Sequence, residues 1–390
     1  MSRRQRLLPG MRKVALASGE VRYEVTLDAG VHPVTGKRRQ TRKRYKTLDE
    51  ATAAHAKITS EVDAGTYVAR SAVTVEQLCS DYLAGRHNLR ASSLSKLEYD
   101  LAPLRERHGG KAVQSLTKRH IDDLVKDLLA GGTLTAKGRK RKPWSAAAVN
   151  KVIATVQQVL ADAVEQGLIP RNVAAAVDRV PVPYKSMNTY TEAEVRKLLA
   201  AAAKDRNGHA WHLALCGLRR GEIAGLRWSD IDFEAGTLSI ATNRVMAGSK
   251  TVENEPKTET SRRTLPLSAP LKAALEAARL RQKKERLELG PDYGSGEAVM
   301  SNEAGEPYNP AVLSRYWREF AERAGVRPLR LHDCRHTAAT MLHLQGVPVA
   351  VIAAWIGHSN AAFTMQVYAH SQNDALKDAA SVLGSVVTSL

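Results

Sequence analysis

The stretch IGHSNAAFTMQVYAH, residues 356–370, places Tyr368 downstream of a Gly357–His358 pair. Alone it says little, because a tyrosine near a C-terminus is usually a packing residue. It gains meaning from three stretches upstream: CGLRRGE at 216–222, KTETSRR at 257–263 and HDCRH at 332–336. Each offers arginine, lysine or histidine, side chains that donate hydrogen bonds to phosphate oxygens. Four such stretches in this order within about 150 residues read as one phosphate-grasping site with a tyrosine nucleophile. One domain must fold so as to bring them together.

Composition agrees. The 390 residues suffice for two or three domains, each with its own core. A formal net charge of +18 makes a polyanion the first partner to consider. Lys and Arg outnumber Asp and Glu by 15 to 7 over residues 1–70, by 17 to 11 over 71–184 and by 26 to 22 in the remainder. The excess is therefore greatest where none of the four stretches lies. A membrane partner fits less well, since there is no run of about 18 apolar residues and no n-region, apolar h-region and cleavage site at the start. A cytoplasmic protein is expected. Cys79, Cys216 and Cys334 lie far apart, without disulfide-framework or CxxC zinc spacing, and read as reduced thiols. Cys334 falls between His332 and His336, but residues at i, i+2 and i+4 do not share one helix face, and no metal site is expected.

Along the chain, a basic tail precedes an apolar alternation through Val21, Tyr23, Val25 and Leu27, which predicts a strand with one buried face. The turn-rich DAGVHPVTGK leads into KRRQTRKRYK, whose Arg38, Arg39, Arg42, Lys43 and Arg44 would stand on the exposed face of the next strand. That face either contacts DNA or is simply solvated; the density of charge beside hairpin signals favours DNA. Thr47 and Glu50 form a capping box before an alanine-rich helix. Residues 72–180 carry four runs of helical periodicity, each closed by glycine, which predicts a four-helix bundle. Between the third and fourth lies a glycine-bounded loop with Arg139, Lys140, Arg141 and Lys142, suited to phosphate contact or to solvent. PVPYKSMNTY is a linker, and Thr191 with Glu194 caps the next helix. Strands are expected at GTLSIAT and on either side of Lys257.

The four motifs and their order are similar to those of tyrosine recombinases of the phage integrase family, and the resemblance covers essentially the whole chain. The expected fold class is multidomain α+β. It comprises a small N-terminal three-stranded sheet plus helix (1–70, an arm-type DNA-binding domain), a helical core-binding bundle (71–182), and a mainly helical catalytic domain with a small antiparallel sheet and a C-terminal tail helix (183–390).

Breaking a phosphodiester without metal or water needs a nucleophile, donors for the non-bridging oxygens and an acid for the departing 5′-oxygen. The resemblance assigns Arg219, followed three residues later by Glu222, and Arg335 to the oxygens. It leaves Arg220 outside the site and gives Glu222 a supporting role. His332, one helical turn before Arg335, matches the HxxR motif. His358 is implied as a further donor, Lys257 as the acid with Lys250 as its competitor, and Tyr368 as the nucleophile. No nucleotide cofactor is implied, because the phosphotyrosine stores the energy of the broken bond.

The implied partners are double-stranded DNA core and arm attachment sites and a homotetramer on that DNA. Accessory DNA-bending and directionality factors are compatible with the same resemblance. A chromosome-dimer resolvase, a type IB topoisomerase-like enzyme and a non-catalytic DNA-binding regulator are the competing readings. Residues 1–70 argue against the first, recombination rather than relaxation separates the second, and the full residue set disfavours the third. After Tyr368, Ala375, Leu376, Ala379, Ala380, Leu383, Val386, Val387 and Leu390 form an apolar stripe. It packs either on its own domain or, as in related recombinases, on a neighbouring protomer; the second is expected.

Overall fold

Residues 7–31, 38–64, 67–183, 188–254 and 262–357 are described by the computed structural model. The chain divides into two compact units, Met1–Pro183 and Tyr184–Leu390. Lys257, His358, Tyr368 and the stripe from Ala375 to Leu390 lie outside the described residues, as do the side chains of Arg38 and Arg39.

In the first unit, β1 (Met11–Ala15), β2 (Val21–Val31) and β3 (Arg38–Tyr45) form an antiparallel sheet in that order. The register sets Met11 beside Val25 and Tyr23 beside Tyr45, so the apolar alternation gathers on one face. That face packs on Ala51 of α1 (Leu48–Asp63). The capping box starts α1: Thr47 Oγ1 accepts from the Glu50 amide at 3.2 Å, and the Glu50 carboxylate accepts from the Thr47 amide at 3.4 Å. Two donors orphaned by the helix start are thereby satisfied. The basic run of β3 divides between the two faces, a correction to the single exposed face expected for it. Lys43 pairs with Val25 and so lies on the α1 side, whereas Arg42 and Arg44 lie on the other, because side chains alternate along a strand.

The outer face centres on Glu24, 0% exposed. Arg12 Nε donates to it at 2.6 Å and Arg44 Nε at 2.8 Å, with Arg42 Nε at 3.8 Å. The cover over this acid is the arginines themselves, which are half or more exposed, so solvent screens the cluster. The Arg44 hydrogen bond, followed by that of Arg12, holds the carboxyl below its ordinary range against the opposing effect of desolvation. A carboxylate with a depressed folded pKa adds stability that is present above its unfolded pKa and lost as pH falls through the folded one. Glu24→Gln is therefore expected to lower the melting temperature of the first unit at neutral pH. The difference from wild type should vanish below the carboxylate range. Thermal melts across pH check this, and a pH-independent difference would reject the electrostatic account.

The bundle comprises α2 (Val75–Ala84), α3 (Ala91–His108), α4 (Lys118–Ala130) and α5 (Ala146–Glu165). Leu78, Leu101, Leu104, Ile121, Ile153 and Leu160 are buried in its core, each contributing about 1.5–3 kcal/mol. Gly85, Gly109 and Gly131 cap the first three helices at their C-termini. In the following loop Arg139, Lys140 and Lys142 are exposed. Arg141 departs from the expected phosphate-facing loop: its side chain is 9% exposed, ion-paired with Glu106 and set over the Trp144 ring.

The second unit opens with α6 (Glu192–Ala202), capped by Thr191 and Glu194, followed by α7 (Gly208–Leu215) and α8 (Arg220–Gly225). Strands β4 (Ile231–Asp232), β5 (Thr237–Ile240), β6 (Asn243–Ala247), β7 (Lys250–Asn254) and β8 (Arg263–Pro266) come next. After them run α9 (Ala269–Leu289), α10 (Pro310–Arg323), α11 (Leu331–Leu344) and α12 (Val349–Ile356). The strands flanking Lys257 do not pair with each other, so they are not one hairpin: β7 pairs with β6, and β8 joins β5 and β4. Lys250 sits opposite Ala247 at the β6–β7 turn. Trp211 of α7 packs against Trp317 and Phe320 of α10 with ring centroids 5.4 and 5.5 Å away. Tyr308 and Tyr316 pack edge to face at 5.6 Å, and Tyr293 is buried, in keeping with packing roles. Among the described residues no helix is long and apolar enough to cross a membrane.

Candidate active site

Arg219 stands at the N-cap of α8, where its amide donates to Glu222 Oε2 at 2.8 Å and its Nη1 to Oε1 at 2.7 Å. The RRGE turn needs glycine in its third place, because a Cβ on Gly221 would lie 1.9 Å from Asn243 Oδ1 and 3.0 Å from the Arg244 carbonyl oxygen. α8 can thus lie close against β6. Burial pushes the Glu222 carboxyl up, but Arg263, with help from Arg219, more than offsets this, and the group stays below its ordinary value. Glu222 is an anion that orients its neighbours.

Arg335, on α11, is 2% exposed. Its Nη1 donates to the Gly217 carbonyl at 2.8 Å and its Nη2 to the Ile356 carbonyl. One turn earlier, His332 is exposed, and its ring meets that of His336 edge to face at 4.9 Å. Partial desolvation, then the charges of His336 and Arg335, lower its pKa to about 4. His332 is therefore neutral at physiological pH and offers one ring nitrogen as acceptor. Cys334 points into the core, and among the described residues no group of His, Cys, Asp or Glu is placed to hold a metal.

These side chains converge on the C-terminal end of α12. Arg219 Nη2 donates to the Gly357 carbonyl at 2.6 Å, Arg335 to that of Ile356, and Arg263 Nε to that of Trp355 at 2.6 Å. A helix leaves its last carbonyls without intrahelical partners and carries partial negative charge there, so cations are its natural caps. Gly357 closes the helix at φ 65°, the left-handed conformation that glycine adopts without strain. Beyond it the chain runs on to His358 and Tyr368.

In front of this cluster lies an open cleft of about 690 Å³, lined by Arg219, Arg220, Arg318, Arg330 and His332 among others. Arg220 Nη1 donates to Ser314 Oγ at 3.1 Å, and Arg330 caps α11 through Asp333. The structure brings Arg219, Glu222, His332 and Arg335 into one region. Sequence reasoning missed Arg263, Arg318 and Arg330. Arg263 alone left a trace, as the second arginine of TSRRTL, where strand alternation turns one arginine inward.

The phage integrase family matches residues 188–374, and an arm DNA-binding domain matches residues 16–62. The tyrosine recombinase XerC-like protein of Caldanaerobacter subterraneus subsp. tengcongensis is 34% identical over 197 residues, 47% of this chain and 50% of that protein. The chain thus spans about half the length of that relative. The ICEBs1 integrase of Bacillus subtilis is 26% identical over 370 residues, covering 94% of this chain and 97% of that protein. Among solved structures, the Tn1549 transposon integrase in complex with transposon right end DNA superposes with a TM-score of 0.63 and 19% identity, over 80% of this chain and 100% of that one. At that identity the likeness is one of fold. A catalytic domain and an arm domain matched in sequence, and a relative matched nearly end to end, agree with the geometry: the chain belongs to the tyrosine recombinases of the phage integrase family.

Proposed function

We propose that this chain is the integrase of a phage or other mobile element, a site-specific recombinase that cleaves and rejoins DNA through a 3′-phosphotyrosine and a Holliday junction. The observation that carries this is the gathering of Arg219 and Arg335 around the helix end that leads into the segment bearing His358 and Tyr368, with His332 lining the same cleft as Arg219. Two guanidinium groups neutralise the non-bridging oxygens of the scissile phosphate as charge develops on them. Tyr368 attacks phosphorus, its proton passing to the neutral His332, and the new P–O bond replaces the bond to the 5′-oxygen. Lys257 protonates that leaving oxygen, and His358 donates to the phosphate. Reversal, with a 5′-hydroxyl from the partner duplex as nucleophile, releases Tyr368 and reseals the strand. Exchange between two duplexes breaks four strands, and one tyrosine per strand calls for a homotetramer.

The outer sheet face with Arg12, Arg42 and Arg44 is suited to arm sites, and Arg139, Lys140 and Lys142 to the backbone of the core site. Residues 1–70, 71–182 and 183–390 accordingly serve as arm-binding, core-binding and catalytic parts. The arm sheet favours an integrase over a chromosome-dimer resolvase. The setting is the cytoplasm of a bacterial host, with DNA-bending and directionality factors as further partners. The test is to mix purified protein with two duplexes taken from the DNA beside its gene. Joined recombinant products are expected, and their formation should need residues 1–70. Relaxation of a supercoiled plasmid without recombinants would overturn the reading.

A further inference from the structure

Arg263, at the start of β8, has a side chain 7% exposed and touches both halves of the cluster. Its Nη1 and Nη2 donate to Glu222 Oε1 and Oε2 at 3.1 and 3.0 Å, and its Nε to the Trp355 carbonyl at 2.6 Å. Glu222 in turn receives Arg219 Nη1 at 2.7 Å, while Arg219 Nη2 turns to the Gly357 carbonyl. A buried carboxylate seeks two donors of matching fork geometry. Arg263 supplies that fork, so the guanidinium of Arg219 is bound to the acid through one nitrogen only. With Arg263 gone, the buried charge of Glu222 would draw in the nearest remaining fork, that of Arg219.

Resting on the integrase reading, we propose that Arg263 is a positioning residue for DNA cleavage. By occupying Glu222 it keeps Arg219 directed at the scissile phosphate, and by holding the Trp355 carbonyl it fixes the helix end from which the chain continues to Tyr368. It touches no DNA itself. The first of these actions passes through Arg219, and this separates it from a residue that merely holds the fold.

The test uses the full-length protein and a nicked attachment-site duplex whose cleaved end diffuses away, with the covalent adduct measured in single turnover. Arg263→Ala is expected to melt as a folded protein and bind DNA like wild type, but to form adduct about 100-fold more slowly, the scale of loss when a catalytic group is misplaced by an ångström. Two readouts distinguish positioning from structural support. Adding Glu222→Gln to Arg263→Ala removes the charge that captures Arg219 and should recover about tenfold of the lost rate. A neutral methylphosphonate at the scissile position, which needs less charge neutralisation, should narrow the gap between Arg263→Ala and wild type. If Arg263→Ala fails to fold, Arg263→Lys, which keeps the charge without the fork, should show the same slowing and the same recovery. Wild-type cleavage by either folded variant, or a deficit unchanged by both Glu222→Gln and the methylphosphonate, overturns the proposal. A wild-type protein that forms no adduct overturns the integrase reading as well.

Discussion

Tyr368→Phe is expected to bind attachment-site DNA with wild-type affinity and to form no SDS-resistant protein–DNA adduct. The phenol oxygen is the only atom of that side chain able to bond to phosphorus, so its removal leaves no slower route through the same residue. Phenylalanine keeps the ring and its packing, which isolates chemistry from folding. Because an ordinary tyrosine titrates at about 10, the hydroxyl enters the reaction protonated and depends on its neighbours to lose that proton. His332 is neutral down to about pH 4 and remains a competent acceptor across the physiological range. A nicked suicide duplex is the assay, since it traps the adduct once formed. Adduct formation by Tyr368→Phe would show that another nucleophile operates, and the buried Tyr293 and the packed pair Tyr308 and Tyr316 are poor candidates.

The second large effect is expected at Lys257. Loss of a general acid slows a reaction by about 10²–10⁴-fold, and replacing the bridging 5′-oxygen by sulfur removes the need for one, because a thiolate leaves unaided. Lys257→Ala should therefore be slow on ordinary DNA and close to wild type on the sulfur-bridged substrate. Arg335→Ala should stay slow on both, since the role proposed for its guanidinium is at the non-bridging oxygens and its loss also strips the Gly217 and Ile356 carbonyls of a donor. Lys250→Ala should cleave normally: Lys250 is exposed at the β6–β7 turn and belongs to a different hairpin from the strand that follows Lys257. Rescue of Lys250→Ala instead, or equal rescue of Lys257→Ala and Arg335→Ala, would assign the acid elsewhere.

What could be read from the chain beforehand was local. Thr47 with Glu50 and Thr191 with Glu194 announce their helices because a capping box is complete within four residues. The alternation through Tyr23, Val25 and Leu27 names the buried sheet face by the two-residue period alone, whereas Val21, at the start of the strand, is exposed. Arg219, Glu222, His332 and Arg335 were singled out by the motifs that carry the family resemblance. The partners those residues meet were not. A carbonyl oxygen has no letter in the sequence, so the acceptors at 355, 356 and 357 left no mark, and Arg263, whose contacts lie 41 and 92 residues away, left only its place in TSRRTL. Lys43 and Arg141 read as members of basic runs, yet strand parity sends one to the helix side and Glu106 turns the other inward. Composition shows how many charges a segment carries, whereas register decides which of them reach a partner.

The arginine-capped end of α12 has a consequence for how the protein waits for its substrate. Guanidinium groups gathered in one place repel one another, and an empty anion site tends to spread apart. Here the aligned peptide dipoles of α12, equivalent to about half a negative charge at that end, and the Glu222 carboxylate act as an internal counter-ion. The charge of the site is partly balanced before any phosphate arrives, and on the proposed reading DNA enters by exchanging its oxygens for carbonyls. Such a sheltered exchange responds weakly to ionic strength, while solvent-facing contacts from the sheet and the basic loop weaken steeply as salt rises. Salt therefore governs whether the protein finds its site far more than whether it can cut there.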